Sequence, residues 1–70
     1  MRNIEISKEP IELYKLLKFT GMSPSGAEAK SVISEGRVLV NGKIETRKRK
    51  KLVSGDIIEF GKDKVCLQLK

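Results

Sequence analysis

"SPSGAEAKSVISEGRVLVNGKIET", residues 23 to 46, strings together a helix start, a helix stop and a hairpin turn, and each signal has a local physical cause. Ser23 or Ser25 can cap the helix, Pro24 fits an early position, and Ser25 with Glu28 matches the S-x-x-E capping box, in which the serine oxygen accepts from an otherwise unpaired helical N–H. Ala29, Val32 and Ile33 then fall on one helical face. Gly36 stands where a helix normally ends in a left-handed residue. "RVLV" and "KIET" flank Asn41-Gly42, the pair that best tolerates the positive φ of a type I′ hairpin turn.

Working outward, Ser54-Gly55-Asp56 predicts a turn, "IIEF" a strand, "GKD" a second turn, and "KVCLQL" a final alternating strand. Upstream, "NIEIS" alternates Ile4 and Ile6 with polar residues and reads as a short strand. "PIELYKLLKFTG" reads as a helix with Pro10 in its first turn, Leu13, Leu16, Leu17 and Thr20 on one face, Lys15 and Lys18 opposite, and Gly21 as the stop. The predicted order is one strand, two helices and a small antiparallel sheet, an α+β plan in which residues 1–70 form one domain. At 70 residues the chain holds one modest core.

A single cysteine, Cys66, excludes an internal disulfide and points to a reducing cytoplasm, with Cys66 itself a small strand or core residue. The N-terminal "MRNIEISKEP" has no apolar signal-like run, and no stretch is long and apolar enough to span a bilayer, so the expectation is a cytoplasmic protein without membrane contact. The absence of histidine excludes Ser-His-Asp and His-based acid–base chemistry together with Cys/His zinc sites. The glutamates suit caps and solvated helix faces, and the glycines fill turns without forming a phosphate-binding loop. No enzyme activity, metal or cofactor is expected.

Charge placement is more informative than its total. Residues 1–36 carry equal numbers of basic and acidic residues, so the whole net charge of +6 resides in residues 37–70. Half of the basic residues there form one internal run, Arg47, Lys48, Arg49, Lys50 and Lys51. Concentrated positive charge calls for a polyanion, and lysine and arginine bind nucleic acid by neutralising phosphates and releasing counterions. The aromatics Tyr14, Phe19 and Phe60 all fit the core by position, which argues against base stacking on single strands. No helix rich in Arg, Asn or Gln offers major-groove readout of duplex DNA. Backbone and shape recognition of a folded RNA is the mode left; the plain alternative is that "RKRKK" is only a solvated loop.

The segment from Leu13 to Phe60, above all "SGAEAKSVISEGRVLVNG" and "SGDIIEF", resembles the S-four RNA-binding domain, named after ribosomal small-subunit protein four, and in particular its short free-standing bacterial members. The resemblance spans about two thirds of the chain. It implies an αL motif, two helices packed on a small mainly antiparallel sheet, whose basic face grips structured RNA. It places Lys30 on the exposed side of the second helix as a phosphate contact and brings Arg37, Asn41 and Lys43 to the hairpin. Many family members have arginine after the capping serine, where this chain has Gly26. Two expectations follow from that departure. Gly26 leaves the helix N-terminus open to a phosphate, and the run Arg47 to Lys51 supplies the missing charge by extending the RNA face along the strand after the hairpin.

The implied partner is structured RNA, ribosomal or transfer RNA in type, with the ribosome or a ribosomal precursor as its setting and the protein acting as a monomer. A competing expectation is a protein-interaction module that sets the basic strand against an acidic partner. A β-grasp sulfur carrier also shows "GDIIEF"-like turns, but it needs a Gly-Gly end where this chain has "LQLK".

Overall fold

The computed structural model describes residues 1–70. Strand β1 (Arg2–Ile6) is followed by the two-residue strand β2 (Ile11–Glu12) and helix α1 (Leu13–Phe19). Helix α2 (Gly26–Ser34), β3 (Val38–Val40) and β4 (Lys43–Ile44) come next. The chain ends with β5 (Lys51–Leu52), β6 (Ile57–Phe60) and β7 (Asp63–Leu69). The main sheet has the order β1-β7-β6-β3-β4, and β2 pairs with β5 in a separate ribbon. All pairings are antiparallel except β1 with β7, which are parallel.

The local signals are realised where the sequence places them. The Ser25 hydroxyl accepts from the Glu28 N–H at 3.2 Å and begins α2. At the other end, the N–H of Gly36 donates to Ile33 and that of Arg37 to Val32, the paired bonds of a Schellman motif, with Gly36 at φ +75°. Asn41 and Gly42 both have positive φ, and Val40 pairs with Lys43 across them, as a type I′ hairpin requires.

Period-two alternation then decides which side of the sheet meets the helices. Ile6, Val38, Val40, Ile58, Val65 and Leu67 turn inward against Leu13, Leu16 and Leu17 of α1 and Ala29 and Ile33 of α2. Met22 and Leu52 complete one continuous core.

Three expectations are corrected. Pro10 lies outside the first helix: Ile11 and Glu12 pair with Leu52 and Lys51, so their backbone is extended and α1 begins only at Leu13. Pro24 precedes the Ser25 cap instead of entering α2. Of the three aromatics only Phe19 leaves the core, at 64% exposed; Tyr14 and Phe60 are half-buried and pack against it. The first strand, for which the sequence indicates no partner, pairs parallel with β7. No local pattern encodes that choice, because its partner lies at the far end of the chain.

Candidate nucleic-acid interface

Five adjacent cations repel one another, so an ordered internal run must be held by its backbone. The main chain does this at the start of α1. The first helical N–H groups have no partner within the helix, and Glu12 at the N-cap position provides no side-chain cap. Instead the Leu13 N–H donates to the Lys50 carbonyl at 2.9 Å and the Tyr14 N–H to the Lys48 carbonyl at 3.1 Å. The carbonyls of the basic run thus cap the helix. Their side chains are left on the solvent side, with Arg47, Lys48, Arg49 and Lys51 exposed and Lys50 half-buried.

This arrangement corrects the expectation that the run continues as a strand. Only Lys51 lies in one, and Arg47 to Lys50 make a turn closed by the Lys50 N–H on the Arg47 carbonyl at 3.1 Å. Leu52, fully buried, fixes the far end of the loop.

The five cations are not equivalent. Arg47 is gripped by Glu45: Nε donates at 2.9 Å, Nη2 at 3.2 Å and the backbone N–H at 3.0 Å. The Arg47 hydrogen bond, against a smaller opposing effect of burial, pulls the Glu45 carboxyl down to about 2 from its ordinary 4.5. The same contact raises the Arg47 guanidinium. Arg49 reaches Glu12 at 3.5 Å. Lys48, Lys50 and Lys51 form no ion pair, and Lys50 meets Glu45 only through its field, which adds slightly to the lowering of that carboxyl. Ser34 at the end of α2 and the segment Thr46 to Lys51 line an open concavity of about 750 Å³ with no apolar side chain.

A depressed carboxyl contributes stability that is present above its unfolded value and is lost as pH falls through its folded value. The Glu45–Arg47 clasp is therefore expected to persist at neutral pH and to open between pH 4.5 and about 2. A titration of the Glu45 side-chain carboxyl by NMR checks this. A midpoint near 4.5 would show that the clasp does not hold the loop in solution.

The remaining predicted residues divide. Lys30 is not on a free face. It is half-buried, and its Nζ lies 4.7 Å from the centre of the Tyr14 ring, because α1 and α2 pack side by side and bring that ring under it. Asn41 is exposed, but its amide is tied to the scaffold: Nδ2 donates to Asp56 at 3.1 Å and Oδ1 accepts from the Ile57 N–H at 2.9 Å. Both ends of its amide are thereby used to tie the hairpin to the turn before β6. Arg37 pairs with Glu35 at 3.5 Å and lies over Phe60 at 5.5 Å. Lys43 is exposed at the hairpin tip and free of ion pairs. Gly26, in the first turn of α2, faces Tyr14, whose Cδ2 would lie 3.9 Å from an added Cβ.

Sequence reasoning missed Tyr14 and Lys15. Around the Tyr14 ring stand Lys30 at 4.7 Å, Arg49 at 5.8 Å and Lys15 at 5.9 Å. The only available signal was the basic residue next to the tyrosine, and it says nothing of α2 or the loop. No group of three or more Cys, Asp or Glu side chains is placed to hold a metal ion, and no helix is long and apolar enough to cross a membrane.

Residues 4–68 match the S4 domain family. The chain is 49% identical over 61 residues to "Putative RNA-binding protein YbcJ" of Escherichia coli strain K12, a match covering 86% of this chain and 87% of that protein. It is 41% identical over 57 residues to "Probable ribosome maturation protein RlbA" of Bacillus subtilis strain 168, covering 81% of this chain and 80% of that one. Among solved structures, the solution structure of YbcJ from E. coli, described as revealing an αL motif involved in RNA binding, superposes with a TM-score of 0.72 at 46% identity. That superposition covers 96% of this chain and 86% of the other.

Proposed function

Because the chain belongs to the S4 domain family, we propose that it is a non-catalytic, monomeric, cytoplasmic protein that binds structured RNA, of ribosomal or transfer type, in the setting of ribosome assembly. The observation that carries this reading is the basic loop: two of its carbonyls cap α1, while Lys48, Lys50 and Lys51 form no ion pair and stand beside a concavity lined only by polar and charged residues. The core of a protein–protein interface is depleted of charged residues, whereas a phosphate backbone is met by a cluster of cations. The names of the E. coli and B. subtilis relatives support the same reading.

In this proposal Lys48, Lys50 and Lys51 are the principal phosphate contacts, and Arg49 and Lys30 join them beside Tyr14. Arg47 contributes less because Glu45 offsets its charge. Arg37 and Lys43 extend the surface toward the hairpin, and Asn41 serves by keeping that hairpin in place. Gly26 leaves the α2 backbone bare beside Tyr14, where a phosphate can approach.

A competition titration against a labelled, folded ribosomal RNA fragment tests the proposal, with unlabelled transfer RNA, duplex DNA and heparin as competitors at equal phosphate or sulfate concentration. Folded RNA is expected to compete at least about tenfold better than duplex DNA or heparin, since sequence-independent charge alone does not separate polyanions of similar charge density. Equal competition by all three would reduce the surface to a general polyanion binder.

A further inference from the structure

Three cations from three separate parts of the chain converge on one aromatic ring. Lys15 comes from α1, Lys30 from α2 and Arg49 from the basic loop, and all lie within 6 Å of the centre of Tyr14. Like charges do not gather without a compensating attraction. Two attractions are present: the negative face of the ring, and one carboxylate, Glu12, whose Oε1 holds Lys15 at 3.2 Å and whose Oε2 faces Arg49 at 3.5 Å.

Glu12 divides its charge between two partners, and Lys30 has none. The cluster therefore carries an excess of about two positive charges on a half-buried platform. Its side chains are already brought together, so an anion arriving there meets them with less ordering left to do.

From this geometry we infer that Lys15, Lys30 and Arg49, arrayed on Tyr14, form a discrete phosphate-binding site for the RNA backbone, in which Tyr14 is the positioning residue and Glu12 the internal counter-ion that the phosphate supplants. The inference rests on the RNA-binding reading and deepens it. It separates the phosphate held at the helix pair from those met by Lys48, Lys50 and Lys51 along the loop. It also gives a role to the Lys30 side chain, which the α1–α2 packing leaves half-buried beside the Tyr14 ring. Tyr14 acts through the face of its ring, so phenylalanine should replace it and an aliphatic residue should not.

The experiment compares wild type with Tyr14→Phe, Tyr14→Leu and Lys30→Gln by measuring affinity for a folded ribosomal RNA fragment across a salt series. Each phosphate contact contributes roughly 0.7 to 0.9 to the slope of log affinity against log salt. Tyr14→Phe is expected to keep both affinity and slope. Tyr14→Leu should bind several-fold more weakly with a slope flatter by about one to two, and Lys30→Gln, which leaves the ring intact, with a slope flatter by about one.

A Tyr14→Leu variant that loses affinity with an unchanged slope would mean base stacking on the ring, and one that keeps full affinity would mean an inert tyrosine; either result overturns the inference. So does an equal loss in Tyr14→Phe, which would assign the effect to the hydroxyl. A titration with inorganic phosphate, followed by NMR at the Lys30 and Arg49 side chains, separates the inference from the reading beneath it. Shifts in wild type and Tyr14→Phe, lost in Tyr14→Leu, support the phosphate site even if the RNA fragment does not bind. RNA binding with no phosphate response and unchanged slopes removes the site and leaves RNA binding intact.

Discussion

Replacing Lys48, Lys50 and Lys51 together by glutamine is expected to weaken binding of folded RNA by about a hundredfold at 0.15 M salt and to flatten the salt dependence by about two to three units. The three lysines form no ion pair, so each is free to release a counterion from the RNA. Their main-chain carbonyls, two of which cap α1, are untouched by the substitution. The fold should survive, and the thermal midpoint should move little.

The informative control is the double variant Glu45→Gln with Arg47→Gln, which removes one positive and one negative charge that already satisfy each other at 2.9 Å. Its salt dependence should stay within about half a unit of wild type. A triple-lysine variant that binds as wild type does would reduce the run to a solvated loop. A double variant that loses as much as the triple would show that Arg47 leaves Glu45 to meet the RNA.

The second large effect is expected at Leu52, immediately after the run. Its side chain is fully buried in the common core, and it pairs with Ile11 in the β2–β5 ribbon. Truncation of such a leucine removes transfer free energy and leaves a cavity, at a cost of about 2–5 kcal/mol. A domain of this size has only about 4–10 kcal/mol of total stability. Leu52→Ala should therefore lower the thermal midpoint by roughly 10–30 °C, measured by circular dichroism.

RNA affinity should fall with it, because Leu52 is the anchor that holds the loop against α1. Ile44→Ala makes the comparison, since Ile44 is 65% exposed and its truncation should change stability by less than about 0.5 kcal/mol. Equal midpoints for the two variants would mean that the ribbon is not part of the cooperative core.

The chemistry of the surface follows from how its charges are sorted. Glu45 and Glu12 are the only carboxylates that touch the run, and each takes one arginine. Arginine, with its planar fork, suits such paired positions, and lysine serves as a mobile point charge. The loop thus uses its arginines partly to shape itself and its lysines to meet a partner. Composition alone treats all five residues as equal.

Residues 25 to 42 determined their own structure. The Ser25 cap, the Gly36 stop and the Asn41-Gly42 turn each rest on hydrogen bonds or φ angles between residues at most five apart, so the information needed is contiguous. The alternation of β3, β6 and β7 likewise named the inward side chains, because a pleated strand turns every second residue to the same face. What the chain could not show locally was which distant group completes each element. The start of α1 depends on carbonyls more than thirty residues downstream, which is why Pro10 misled the helix boundary. The parallel pairing of β1 with β7 joins the two ends of the chain and has no turn to announce it. Tyr14 carries the same lesson for the site: periodicity places it beside the core, but only the packing of α1, α2 and the basic loop leaves its ring half-open and sets three cations around it. Local backbone preferences act over a few residues and are legible one segment at a time, whereas burial and charge clustering are properties of surfaces that exist only once those segments have met.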